Sequence, residues 1–418
     1  MKRLIILLLA AFSMVGMADA QLTLEQCQQK AHNNYPLIRK YSLIEAARDY
    51  NIDNVSKGNL PQISLSGKAT YQSEVTKLGI SLPNINIKSV ANDQYQAVIN
   101  VQQNVWDGGR MSSQKKVTEA SAEIEHEQNN VDLYALNDRV NQLYFGVLLL
   151  DEQLKQNQLL LDDLERNYKQ IDSYRRNGIA NEADIDEVRA EQLNAQQQRN
   201  SLTDARNTYI NMLSLFIGEK ISSNISLVKP VDTETSADIN RPELQLFSVQ
   251  EQLLKWRRQA LDAALRPQIN LIAQGGYGRP GLNMLNNDFH GYYLVGVQLS
   301  WNIGAFYTKK NDRALLNNEQ SEINNARDVF LFNTNMQSTQ QMGNIAAMRH
   351  QMQDDDEIIA LRERICRVNE TKLNQGTLAE TEMLRMINAK DQARQTKALH
   401  NIQLLSDIYE MKYVTNNK

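Results

Sequence analysis

The stretch GYGRPG, from Gly276 to Gly281, has the spacing of a dinucleotide fingerprint, in which glycines let a backbone approach a pyrophosphate at a helix N-terminus. Pro280 and the Asn-rich continuation start no helix, and no βαβ pattern surrounds the stretch, so it reads as an outward-facing loop. Four consecutive acids, Asp354 to Glu357, could suggest a hard cation, yet adjacent helix positions point around the cylinder rather than converge. The five histidines (His32, His126, His290, His350, His400) form no ligand spacing, and no nucleophile stands beside a base. The residues thus predict no enzyme, no cofactor and no metal. What remains is a pair of acidic segments in matching places. Asp184 and Asp186 follow Gly178, Glu380 and Glu382 follow Gly376, and each set opens a helical pattern where the helix dipole favours acids.

Those two glycines belong to a duplication. LPQISLSG from Leu60 and RPQINLIA from Arg266 share one phrase, and Pro36 and Pro242 precede it at the same offset of 206. Further on, VQQNVWDGG from Val101 matches VGVQLSWNIG from Val295, and the segment around Gly178 matches that around Gly376. The expected organisation is a leader at 1–20, a first repeat at 21–221, a polar connector at 222–240 and a second repeat at 241–418. Each repeat would hold a helix, a β-hairpin and a long helical hairpin.

Proline placement sorts these elements. All seven prolines lie at 36, 61, 83, 230, 242, 267 and 280, which leaves 84–229 and 281–418 free for long helices. From Leu133 to Ile171, apolar residues recur in alternating steps of three and four with only Asn157 breaking the series, which is a coiled-coil seam. A helix from Met111 to Ser173 would run roughly 95 Å, too long for one compact core. Gly178 and Gly376 end the outgoing helices and create antiparallel hairpins.

Four other segments alternate with period two. Ile63, Leu65 and Tyr71 in the first, Tyr95, Ile99, Val101 and Val105 in the second, Ile269, Leu271 and Tyr277 in the third, and Tyr293, Val297 and Trp301 in the fourth share odd numbers. The even positions are almost all uncharged and polar. Such strands suit a transmembrane β-barrel with lipid outside and water inside, and equally an antiparallel sheet with one wet face. Three features favour the barrel. Residues 1–20 have a basic start, an apolar run and Ala18-Asp19-Ala20, as a secretory leader does. No later apolar run approaches the roughly 20 residues of a spanning helix. The polar faces carry little charge. In a bilayer no edge stays open, and four strands cannot close, so several chains must pool their strands.

Composition agrees with an elongated chain. Aromatics make up 6% of 418 residues, mean hydropathy is −0.52, and a formal charge of −4 with interspersed signs offers no face to nucleic acid. Two cysteines, Cys27 and Cys366, give no disulfide framework and read as unpaired helix residues; Cys27 lacks the small residues of a lipid-attachment site.

With LTLEQCQQKAHNNYP at its start, the two PQI strand openings, WDGG after the second strand and two Gly-containing tips, nearly the whole chain resembles the TolC-type outer-membrane efflux channel family. The resemblance implies a mixed α and β membrane protein: a homotrimer with a 12-stranded β-barrel, four strands per chain, continuing into a long α-helical coiled-coil tunnel. It implies the outer membrane of a Gram-negative bacterium, with outer-membrane lipid around the barrel and an extension into the periplasm. It also implies a periplasmic adaptor and an inner-membrane transporter as partners, and a passive efflux or secretion duct as the function. The odd-numbered side chains would then face the membrane. Asp184 and Glu382 fall where the family constricts its pore, and Arg385 stands where some members have a second acid, available to pair with the first. The tips at Gly178 and Ile179, and at Gly376 and Thr377, correspond to the adaptor-contacting segments, and any C-terminal equatorial piece would be small. The competing reading is a structural periplasmic adaptor with a coiled coil and a soluble sheet.

Overall fold

The computed structural model describes residues 22–76, 90–233, 236–284 and 286–417. The expected leader lies outside them, as do two residues of the expected connector. The chain falls into two compact units, one made of Tyr41–Gln128 with Gln245–Arg327, the other of the stretches up to Lys40, Asn129–Leu244 and from Asp328 on. Each unit draws on both halves of the sequence.

The first of these holds the sheet. Helix α2 (Lys40–Lys57) leads into β1 (Gln62–Tyr71), which returns as β2 (Asp93–Trp106); helix α5 (Pro242–Ala264) leads into β3 (Gln268–Arg279), which returns as β4 (His290–Ser300). All neighbours are antiparallel, in the order β1-β2-β3-β4, so the two copies of the PQI phrase begin two hairpins joined through β2 and β3. The period-two pattern explains the register. Leu65 faces Ile99 and Gly67 faces Ala97, Ile99 faces Gly275, and Gly275 faces Tyr293, so odd positions of all four strands fall on one side. Two details differ from the sequence expectation. A register shift between Asn104 and Trp106 puts Trp106, not Val105, opposite Ile269 on the odd-numbered side, because one extra residue in β2 flips the alternation. Trp301 lies one residue past β4, where its indole N–H donates to the Leu265 carbonyl at 3.0 Å. The WDGG segment starts helix α3 (Arg110–Arg176): the Asp107 carboxylate accepts from the backbone N–H of Gly109 at 2.8 Å and of Met111 at 2.7 Å, satisfying orphan donors of the first turn.

The other unit is helical. Helix α1 (Leu24–Asn34) opens with a capping box between Thr23 and Gln26. It packs with the central part of α3 and with helices α4 (Glu182–Ile217) and α8 (Glu380–Thr415) around Tyr144, whose buried hydroxyl lies 2.8 Å from the Leu22 carbonyl and 2.6 Å from that of Val228. The predicted seam is the buried one: Leu133, Leu136, Val140, Val147, Leu164 and Ile171 are all inaccessible. The interruption, Asn157, is also fully buried, and its amide donates to the Ala195 carbonyl of α4 at 3.0 Å. A polar residue at a seam position fixes the register of paired helices at some cost in stability.

The second repeat departs from the first. Instead of one outgoing helix it has α6 (Ala305–Gln351) and α7 (Asp355–Asn374), broken at 352–354. The four acids are the local cause. Asp355, Asp356 and Glu357 occupy the first turn of α7, where a helix end favours negative charge. Asp355 is buried and its carboxylate is 2.8 Å from His400 Nδ1 of α8, while Asp356 pairs with Lys397.

Candidate functional site

In the sheet unit the odd-numbered face is the exposed apolar one. Ile63, Leu65, Tyr71, Tyr293, Val295, Val297 and Leu299 all expose more than two thirds of their surface, and Tyr95, Ile99, Leu271, Tyr277 and Trp301 between 45% and 59%. Val101 and Ile269 are partly covered by the neighbouring strands. An apolar patch of this extent on a water-facing surface would drive aggregation. Aromatic residues border it at both ends. At the loop end Phe289 stacks between Tyr95 and Tyr277 at 6.2 and 5.9 Å, with the Arg279 guanidinium 5.4 Å from the Phe289 ring; at the helix end Trp301 meets Phe306 at 6.4 Å. Eight residues separate Ile269 from Tyr277. They span roughly 27 Å along the strand, or about 20 Å of height at a tilt near 40°, close to the ~25 Å apolar band of outer-membrane barrels.

The polar face is ordered too. Tyr292 lies flat across Gly276, where an added Cβ would come within 2.3 Å of its ring, and its hydroxyl bonds the Gln96 amide. The edges β1 and β4 carry no strand partner among the described residues.

In the helical unit both hairpin tips are Schellman motifs. Ile179 N–H donates to the Tyr174 carbonyl at 2.9 Å and Gly178 N–H to that of Arg175 at 3.0 Å; Thr377 and Gly376 repeat the pattern with Lys372 and Leu373, each at 3.0 Å. Gly178 at φ 74° and Gly376 at φ 70° occupy the left-handed region with nothing within 4 Å of an added Cβ. Alanine there meets only backbone strain, so a loss of about 1 kcal/mol per site is expected, readable as a lowered Tm. Ile179 and Thr377 are exposed at the turns.

The predicted acids occupy different environments. Asp184 belongs to the capping box of α4: its carboxylate accepts from the Asn181 N–H at 2.9 Å while its own N–H donates to Asn181 Oδ1 at 3.1 Å. Glu382 is half-buried and pairs with Arg385 at 2.8 Å. The residue that sequence reasoning passed over is Glu380. It is 6% exposed, neither carboxylate oxygen has a hydrogen-bond partner, and Asn167 beside it also leaves Oδ1 unpaired. Burial pushes Glu380 up to about 7, opposed by the nearby Asn167, which lies outside good hydrogen-bond geometry, and aided by the charges of Asp184 and Glu187. The only signal for it was its place in the first turn, which does not distinguish a solvated acid from a buried one. Nearby, Tyr174 donates to Asn374 and Gln170 donates to the Tyr174 hydroxyl at 3.0 Å, tying the ends of α3 and α7 together.

Residues 27–219 match the family described as outer membrane efflux protein. That match covers 193 of the 418 residues, just under half of the chain. Solved structures agree with this chain on the fold. CusC superposes with a TM-score of 0.69 at 13% identity, over 95% of this chain and 92% of its own. VceC of Vibrio cholerae gives 0.65 at 12% identity over 94% of each chain, and MtrE of Neisseria gonorrhoeae, in an open state, gives 0.65 at 13% over 94% and 89%. No curated protein matches the chain by sequence. The fold is the TolC-like one shared by these structures. Among the described residues no helix is long and apolar enough to cross a membrane.

Proposed function

We propose that this chain is a passive exit duct in the outer membrane, built by three copies whose sheets close into one 12-stranded barrel. The observation that carries the reading is the two-faced sheet with both edges open: the odd positions are apolar or small apart from Gln103 and the Asp93–Arg279 pair at the loop end, the even ones are mostly polar and uncharged, and β1 and β4 lack partners among the described residues. Pairing β4 of one copy with β1 of the next satisfies both edges at once. Apolar stripes on the helices suit the same assembly: Ile358, Leu361, Ile365 and Val368 of α7, and Val329, Phe332 and Met336 of α6, are exposed at helical spacing. A soluble adaptor would leave Leu65 and Tyr293 in water for no gain.

The duct would work with a periplasmic adaptor and an inner-membrane transporter, engaged through the tips at Gly178, Ile179, Gly376 and Thr377. Asp184 and Glu382 would line the periplasmic constriction, three of each per trimer, and Arg385 would offset part of the Glu382 charge. Rings of carboxylates at a narrow pore favour cations. Planar-bilayer recording tests both parts. Asp184→Asn with Glu382→Gln is expected to lower the cation preference several-fold, and Arg385→Gln to raise it. Channels with unchanged selectivity in all variants would remove the ring assignment while leaving the duct. Absence of any conductance from the unaltered protein would remove the duct.

A further inference from the structure

The polar face of the sheet carries one permanent charge, and the register places it at a single height. The even positions of the four strands are Gln, Ser, Thr, Asn and a few apolar or Gly residues, with His290 and Lys68 as the exceptions. Lys68 faces Gln96, Gln96 faces Gly278, and Gly278 faces His290, so lysine and histidine share one row across the sheet, three residues from the loop end of β1. Lys68 is exposed and enters no ion pair among the described residues. The charges closest in the register, Asp93 and Arg279, sit on the odd-numbered face and neutralise each other. One row below, Tyr292 is pinned over Gly276 by Gln96 and projects into the same space.

We infer that Lys68 forms a ring of three cations near the outer mouth of the barrel, a site that draws small anionic solutes, carboxylates or sulfonates, through the last step of exit. The inference rests on the trimeric-duct reading. Three-fold symmetry guarantees that all three Lys68 side chains lie at one height, whatever the register between copies. Twelve strands about 4.8 Å apart and tilted near 40° enclose a backbone radius of roughly 12 Å. A lysine reaches about 6 Å inward, which leaves the ammonium groups roughly 10 Å apart and the axis about 6 Å from each. With a Debye length of about 10 Å at 0.1 M salt, no ion crossing that level escapes their field. His290, its Nδ1 2.9 Å from the Asp288 carbonyl, stands in the same row.

The test is the reversal potential of the full-length channel in planar bilayers under a KCl gradient near 0.1 M, for the unaltered protein, Lys68→Gln and Lys68→Arg. Lys68→Gln is expected to lower the chloride-to-potassium permeability ratio roughly two- to fivefold, and Lys68→Arg to keep it. The difference should collapse near 1 M salt, where the Debye length is about 3 Å. The tip acids are the same in every protein compared, so they cancel. Because Lys68 is exposed, neither variant removes packing. Normal conductance with an unshifted reversal potential in Lys68→Gln would overturn the ring alone; no conductance from the unaltered protein would overturn the ring and the duct together.

Discussion

Aspartate at Leu65 and Leu271 is expected to stop the chain from entering the outer membrane. Leu65 shares its row with Ile99, Gly275 and Tyr293, and Leu271 sits against Val297, one row to either side of the middle of the band between Ile269 and Tyr277. Both point away from the polar face and are 76% and 46% exposed. Burying a carboxylate in hydrocarbon costs about 2 kcal/mol per site in a barrel, most at the midplane. Six copies in a trimer raise this to roughly 12 kcal/mol, more than the marginal stability of most domains. Aspartate at Ser64 and Asn270, one residue away on the polar face, is the control and should be tolerated. The measurement is the amount of protein recovered in outer-membrane fractions. Full recovery of the double Leu variant would mean that the odd-numbered face meets something other than lipid.

The second large effect concerns Glu380. Its carboxyl is held near 7, above its ordinary 4.5, because the charged form would lie buried beside Asp184 and Glu187, a penalty that the neighbouring Asn167 offsets only in part. The native state therefore keeps a proton that the unfolded chain releases above about pH 4.5. Stability is greatest below that value, falls as pH rises towards 7, and is flat beyond. The difference of about 2.5 pKa steps corresponds to roughly 3 kcal/mol per chain. Glu380→Gln keeps the shape, can donate to the unpaired Asn167 Oδ1, and should raise Tm at pH 8 while gaining little at pH 4.5. Asp391, raised to about 6, and Glu410, raised to about 7, also by burial, add slopes of the same sign, so the quantity to follow is the difference between the two proteins. A variant that melts earlier than the parent at pH 8, or whose Tm difference is the same at both pH values, would show that the carboxyl is charged and satisfied in the native state.

Much of this architecture is written in local patterns. Alternation with period two in four segments placed the strands and their outward faces, and the three-four spacing from Leu133 to Ile171 placed the buried seam of α3, because each periodicity has one geometric solution. Gly178 and Gly376 marked the tips, since few other residues adopt their backbone conformation. The pairing of Glu382 with Arg385 was legible from their i, i+3 spacing on one helix.

What the sequence could not specify depends on residues far apart in the chain. The shift at Trp106 needs β3 beside β2 before it has meaning, and the break before Asp355 is held by His400 and Lys397, some forty positions on. Glu380 reads as an ordinary helix-opening acid until α3 and α4 cover it. Lys68 and His290 share a row only because β1, β2, β3 and β4 pair in that order and register. Periodicity decides which way a side chain points along its own element; only packing between elements decides what it meets there, and therefore whether it is solvated, paired or left charged in the dark.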